Sequence, residues 1–407
     1  MLDETIKSIK RNNGIDLIRG LSIISVILLH IHLKIPFNQS SLGQLLPQKM
    51  INIIFFSGFY GVMTFFVVSG FLITLSSLER WGALSQIPYL SFFKMRFARI
   101  APCLLALLLL LSVLHLANIG GFIITTTTLE RAIFSALTFH VNWLEAQTGY
   151  LPGPWNVLWS LSVEEAFYVF FPLLCIFVRN EFLFKIMMLV FIILGPFARS
   201  VFTHNEMWSD HSYLSCMDGI AIGCLAALFT HQYKLSKKML LLFLGGGLSL
   251  FCSIFILRKQ AFDLGLTKIG LHVTLLEMGV AFILIFLHNN SFNSGIYLDR
   301  LTAPLRWFGR NSYEIYLTHT LLVMFLVQIF YNLAISSAMI MPWYVLILCL
   351  SGVVGHLVAK YYSMPLNRWL RSTFSDPKND YTQTTLLLGE APSERSPRSV
   401  RFGTRLG

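Results

Sequence analysis

Ten stretches of about twenty apolar residues follow one another at 15–34, 54–77, 98–118, 158–178, 184–203, 213–231, 239–257, 269–288, 312–333 and 342–362. As helices, each is long enough to cross about 30 Å of hydrocarbon. Few folds are open to such a chain, because inside a bilayer the backbone must satisfy its own hydrogen bonds; the expectation is an all-α integral membrane protein. Charge is scarce, 13% of residues against 55% hydrophobic, too little to cover a soluble domain of 407 residues. An eleventh apolar run at 131–143 carries His140 and Asn142, and is read as a re-entrant or outer segment.

Lysine and arginine concentrate in alternate loops, as expected of loops on the cytoplasmic side. With the N-terminus inside, the inner loops hold Lys7, Lys10 and Arg11, then Arg80, Lys94, Arg96 and Arg99, then Arg179 and Lys185, then Lys234, Lys237 and Lys238, then Arg300, Arg306 and Arg310. The outer loops hold fewer: Lys34, Lys49, Arg131, Arg258, Lys259 and Lys268. Both termini are then cytoplasmic, and the net charge of +11 reflects topology and attraction to membrane lipids, not nucleic-acid binding. Three parts are expected: a cytoplasmic N-terminus at 1–14, a transmembrane domain at 15–370, and a basic tail at 371–407 whose Ser, Thr, Pro and Arg content reads as disordered. The first span lacks a small-residue cleavage site and is too long for a signal-peptide core, so it is expected to stay attached. Cys103, Cys175, Cys216, Cys224, Cys252 and Cys349 fall inside spans without metal-ligand spacing, so they read as small core residues and no metal is expected.

Ionisable residues within spans are costly, and normally face a protein interior or a wet cavity. In the first span Arg19 and His30 share one stripe, since eleven residues at about 100° each return to nearly the same helix face. They lie roughly 16 Å apart along the axis, which puts His30 near mid-bilayer. Asp16 stands at i−3 from Arg19 and can pair with it. Arg19 reads either as a phosphate-binding group at the inner entrance or as an orientation anchor, and His30 either as a base or as an interhelical hydrogen-bonding residue. Arg96 and Arg99, one turn apart before the third span, offer two guanidinium forks to a phosphorylated ligand, or fix topology.

Glu164 and Glu165 enter the fourth span at its outer end, with Ser160 and Tyr168 on the face of Glu164 and Ser162 on that of Glu165. A structural pairing role competes here with a catalytic one. In the ninth span Ser312, Tyr316 and His319 share a face, His319 being a second histidine in hydrocarbon. Asp218 lies beside Gly219 and Gly223, and Gly61 and Ser69-Gly70 in the second span likewise suit close helix packing around a polar site.

Taken together, Asp16-x-x-Arg19 with His30, the block from Gly61 to Ile73, Arg96-x-x-Arg99, Trp159-Ser160-Leu161-Ser162-Val163-Glu164-Glu165 and Ser312-Tyr313-Glu314-Ile315-Tyr316-Leu317-Thr318-His319 resemble the membrane-bound acyltransferase family 3, bacterial O-acyltransferases of surface polysaccharides. The likeness runs from about Ile15 to Arg368. It implies ten spans around a catalytic channel in the bacterial cytoplasmic (inner) membrane, a cytoplasmic acyl-coenzyme A donor, acetyl by default, and an acceptor hydroxyl presented from outside, on a surface or lipid-linked glycan such as lipopolysaccharide O-antigen.

By position, the resemblance makes His30 the essential histidine, partnered by Arg19. It makes Arg96 and Arg99 donor-binding, and puts Ser162, Glu164 and Glu165 near the acceptor, the two glutamates as candidate catalytic carboxylates. Asp16, Asp218, Tyr316 and His319 are expected to support the channel or acceptor. Coenzyme A would be a substrate, with no permanently bound cofactor. Two segments depart from the family pattern: Cys216-Met217-Asp218, where an arginine often precedes the aspartate, and Ser363-Met364-Pro365, where a glutamate is common. No hydrolase-like domain follows the last span, so transfer is expected to be completed by the membrane domain or by a separate protein. A transporter or flippase of a lipid-linked sugar or small anion would use intramembrane charges in a path instead, and a structural membrane subunit would use them only to hold partners.

Overall fold

The computed structural model describes residues 11–201, 205–290 and 296–374. The expected disordered tail therefore falls almost wholly outside the described residues, as does most of the N-terminal segment. Among the described residues the secondary structure is entirely helical. Ten helices are long and apolar enough to cross a membrane: α1 (Asn13–Lys34), α2 (Gly58–Trp81), α3 (Tyr89–Leu116), α4 (Leu158–Val178), α5 (Glu181–Val201), α6 (Tyr213–Gln232), α7 (Lys237–Ile256), α8 (Leu271–Asn289), α9 (Ser312–Asn332) and α10 (Ile340–Val358). These match the ten apolar stretches, with ends displaced by four residues or fewer except at the start of α3, which begins nine residues before the expected 98.

Helix α1 starts where Asn12 caps it, its side-chain oxygen accepting from the backbone N–H groups of Gly14 at 2.8 Å and Ile15 at 3.2 Å. The same Asn12 donates to the Leu287 carbonyl at 2.9 Å, tying the start of α1 to the end of α8. At its other end the chain is extended at Ile35, as a following proline requires.

Helices α2, α6 and α8 bury most of their surface, while α5 and α7 present theirs outward. Leu241, Leu242, Phe182 and Ile193 are among the large apolar side chains left exposed on the outer pair, and lipid is the solvent that suits them. Small residues let the inner helices touch. A Cβ on Gly70 would stand 2.0 Å from the Ile220 carbonyl oxygen, and one on Gly223 would stand 2.1 Å from that of Val67, so α2 and α6 meet backbone to backbone.

One helix was not expected. Ile296–Arg310 is amphipathic, with Asp299, Arg300, Arg306 and Arg310 interrupting its apolar residues, and it packs along α1. Gly20 and Gly309 make the crossing: a Cβ on Gly309 would lie 1.8 Å from the Asp16 carbonyl oxygen, and one on Gly20 would lie 1.9 Å from that of Leu305. After α10 the backbone widens into a π-helical turn, Ala359–Ser363, before the final helix Met364–Phe374.

The run at 131–143 is not a span. It divides into helices Leu129–Leu137 and Val141–Thr148, the second anchored where Val141 N–H donates to Ser162 Oγ at 3.2 Å. Four of the cysteines are buried as expected, but Cys252 and Cys349 sit on exposed faces; all six are free thiols.

Two outcomes follow. Overpacking in a tight interior costs about 1–3 kcal/mol, and an approach of 1.8 Å to backbone belongs at the top of that range; Gly309→Val is expected to abolish accumulation of folded protein. Gly245→Ala, whose Cβ meets nothing within 4 Å, should not lower the thermal midpoint, since alanine is favoured over glycine inside a helix. In the segment joining α3 to α4, Glu145 is 1% exposed and accepts from Leu151 N–H at 3.0 Å, yet burial outweighs that bond and pushes its carboxyl from 4.5 up to about 8. Between these values the folded protein binds more protons than the unfolded chain, so stability falls as pH rises from about 4.5 to about 8. Glu145→Gln should flatten this fall in a thermal melt; an unchanged slope would argue against it.

Candidate functional site

A cavity of about 1070 Å³ runs into the bundle from the end where α1 begins, the end that the charge pattern leads us to expect on the inner side. Its mouth is made of helix ends: Asn12 and Asn13 at the start of α1, Glu79 near the end of α2, Asn289 at the end of α8, Arg310, and Asn367 of the final helix. Its floor lies among Val62 and Phe65 of α2, Ser160 and Leu161 of α4, and Tyr316 and Leu317 of α9. Helices α1 and α9 both start at the mouth, so the positive ends of their dipoles face it.

The arginines in its wall are not equivalent. Asp16, expected to pair with Arg19, is held by Arg11 instead, at 2.7 Å from Nε and 3.0 Å from Nη2. That leaves Arg19 in the wall without a hydrogen bond or ion pair to any other described residue. Arg99 also lines the cavity, but its guanidinium is engaged: Nη1 lies 2.6 Å from Glu314 Oε1, and Nη2 donates to Oε2 at 3.4 Å. Glu314 is fully buried and also accepts from Ser363 Oγ at 2.7 Å. The π-helical turn brings Ser363 to this pair, so the last-span departure from the family pattern abuts the arginines of the site.

Arg96 stacks over the Tyr168 ring, 3.6 Å from its centroid, and its buried Nε has no partner. Tyr168 in turn shares a hydrogen bond with Ser69. Glu164 and Glu165 both line the cavity beside them, and Glu165 Oε1 is buried without a partner. One surface thus unites the guanidiniums expected at the inner mouth and the carboxylates expected near the outer end.

Deeper, the Tyr316 hydroxyl meets Ser160 Oγ at 2.6 Å and donates to the Val157 carbonyl at 3.1 Å. Phe65 stands beside it, 6.4 Å between ring centroids. One turn further along α9 is His319, fully buried, and against it lies His30, their ring centroids 5.0 Å apart and their planes 72° to one another. His30 is half-buried and is not among the residues lining the cavity. The Tyr316 layer separates the two histidines from the cavity floor.

Two expected site residues belong elsewhere. Ser162 faces away from the cavity: it accepts from Val141 N–H and donates to the Leu158 carbonyl at 3.0 Å, because its offset from Glu165 turns it toward the α3–α4 connection. Asp218 is fully buried on the α6 side of α2, ion-paired with Arg199 of α5 and accepting from Thr274 Oγ1 of α8 at 2.7 Å. The arginine that the family pattern puts next to this aspartate in sequence is supplied here in space, from a neighbouring helix. Arg199 was not singled out in the sequence, and Glu314 stood only as one residue of the ninth-span motif; Tyr168, on the face of Glu164, and Ser69, expected to pack near a polar site, were named without the partners they have here. Among the described residues no group of three or more His, Cys, Asp or Glu side chains could hold a metal ion.

Comparison with known proteins bears on this arrangement. The chain is 23% identical over 398 residues to the O-acetyltransferase OatA of Staphylococcus aureus (strain MRSA252), covering 92% of this chain and 61% of that protein. It is 27% identical over 336 residues to the peptidoglycan O-acetyltransferase OatA of Listeria monocytogenes serovar 1/2a, covering 75% of this chain and 48% of that one. The chain thus spans about three fifths of the first relative and half of the second. No solved structure matches it. The family model described as an acyltransferase domain matches residues 12–360, from the cap of α1 through the ten long helices, and the chain belongs to acyltransferase family 3.

Proposed function

We propose that this protein transfers an acyl group, acetyl by default, from cytoplasmic acyl-coenzyme A to a hydroxyl of a cell-surface glycan. The observation that carries the reading is the cavity itself: it enters from the end where α1 and α9 begin, holds Arg19 with no carboxylate in direct contact, and stops one helical turn short of the His30–His319 pair. The coenzyme's phosphates suit such a mouth, where guanidinium groups and helix N-termini favour anions. Arg19 is the chief phosphate ligand in this scheme and Arg96 the second; Arg99, already bound to Glu314, shapes the site and lends charge. The apolar stretch at Val62, Phe65, Phe66 and Leu161 suits the pantetheine arm.

In the reaction, the glycan hydroxyl oxygen attacks the thioester carbonyl carbon while its proton passes to a base. The C–O bond forms, the C–S bond breaks, and the thiolate leaves with that proton as free thiol. His30 is the base in this scheme, with the donor thioester passing the Tyr316 layer to reach it; direct acylation of the histidine nitrogen, followed by transfer to the hydroxyl, uses the same placement. Glu164 and Glu165 lie by the bound arm.

The name of the Listeria relative supports considering peptidoglycan beside O-antigen as an acceptor. Mass spectrometry of surface glycans from cells with and without the protein should find O-acetyl esters that depend on it, and His30→Ala at normal expression should abolish them. Ester formation that survives this substitution would remove the catalytic assignment, and substrate movement without ester would indicate a transporter. With purified protein, Arg19→Ala should raise the apparent KM for acetyl-coenzyme A about tenfold or more, as expected for the loss of a charge-assisted phosphate contact. Arg99→Ala should instead lower the thermal midpoint, because Glu314 is left buried and unpaired. Equal effects of the two substitutions on donor KM, with no loss of stability, would refute that division of roles.

A further inference from the structure

His319 packs against His30 on a geometry that leaves each ring one protonation pattern. Its Nδ1 lies 2.7 Å from the Tyr316 carbonyl oxygen and 3.2 Å from that of Ile315. A carbonyl can only accept, so Nδ1 carries the proton and Nε2 a lone pair. That lone pair faces His30 Nδ1 at 3.4 Å, which in turn sits 2.8 Å from the Val26 carbonyl oxygen. By the same rule His30 Nδ1 bears a hydrogen, shared between Val26 O and His319 Nε2, and the free electron pair of His30 is on Nε2. Val26 belongs to the same helix as His30 and moves with it; His319 reaches across from α9 and, through the edge-on contact of the rings, fixes the plane of the imidazole.

We propose that His319 is a positioning residue, whose Nε2 acceptor and edge-on ring hold His30 in the Nδ1–H tautomer so that Nε2 presents the reactive lone pair. The inference rests on His30 being the transfer histidine. When His30 Nε2 takes the hydroxyl proton, the imidazolium keeps its Nδ1–H between the two acceptors until Nε2–H is passed to the leaving sulfur. A second acceptor for Nδ1–H matters most in that charged state, much as an acceptor behind the histidine does in a serine-hydrolase triad. A packing role alone would need only a side chain of similar volume.

The test is the protonation state of His30 in the full-length protein in lipid, read from ring-nitrogen shifts of 15N-histidine, with His30→Gln used to assign the signal. Wild type and His319→Gln, which keeps an acceptor, should show Nδ1 protonated and Nε2 bare. His319→Leu should show both tautomers. Surface-glycan ester content at equal protein level should fall about tenfold to a hundredfold in the Leu variant, part of what a positioned base supplies, and recover to within about threefold in the Gln variant. A wild-type His30 protonated on Nε2 overturns the inference without any variant needing to fold. So does a His319→Leu protein that keeps the wild-type tautomer, whatever its ester yield, or a Gln variant that falls as far as Leu. His30→Ala that still forms ester would instead defeat the transfer role and leave the tautomer result standing.

Discussion

Charge inside a low-dielectric bundle must be paired, wetted or neutralised, and this constraint sorts the ionisable groups of the protein. Asp16 goes to Arg11, Glu314 to Arg99, and Asp218 to Arg199. The first pair is local, five positions apart, whereas the other two join different helices, separated by 215 positions for Arg99 and Glu314. Around the cavity the pairing leaves over Arg19 open to it, Arg96 resting on an aromatic ring, and Glu165 with a bare oxygen, while Glu277, buried with both oxygens bare, lies outside the cavity wall. A ligand carrying both strong negative charge and amide hydrogen bonds complements that remainder.

Much of the fold was legible because hydrophobic length is a strong signal in a membrane protein: ten apolar stretches became ten helices. The helix Ile296–Arg310 was not legible. Its charges at Asp299, Arg300, Arg306 and Arg310 keep it below any spanning threshold, and its seat on α1 depends on two glycines whose meeting only coordinates reveal. The one-turn spacing of Arg96 and Arg99 likewise said that both could face one ligand, but not that Glu314 would occupy the second. Ser162 shows the limit of helical-wheel reasoning: an offset of three residues from Glu165 was enough to turn it from the cavity to the Val141 amide. His30 and His319, 289 residues apart, were each singled out as histidines in hydrocarbon, while their contact was invisible.

Family membership and local geometry meet at the two departures from the expected pattern. Near Asp218 the guanidinium arrives from α5, so the same charge balance is reached from a different point in the chain. At the end of the last span Ser363 stands on a π-helical turn, a feature that often re-aims a side chain in a functional region, and here it gives Glu314 a neutral donor beside Arg99.

The Gly20–Gly309 crossing separates two kinds of information. Because main chain touches main chain there, the register of α1 against the residues leading into α9 is fixed at that point by backbone contact. Architecture at the entrance is therefore written in hydrogen atoms, and selectivity in the groups around it. If the cavity takes the proposed donor, substitution at Arg19, Asn13 or Arg310 would retune which anion the entrance prefers while its outline stays constant.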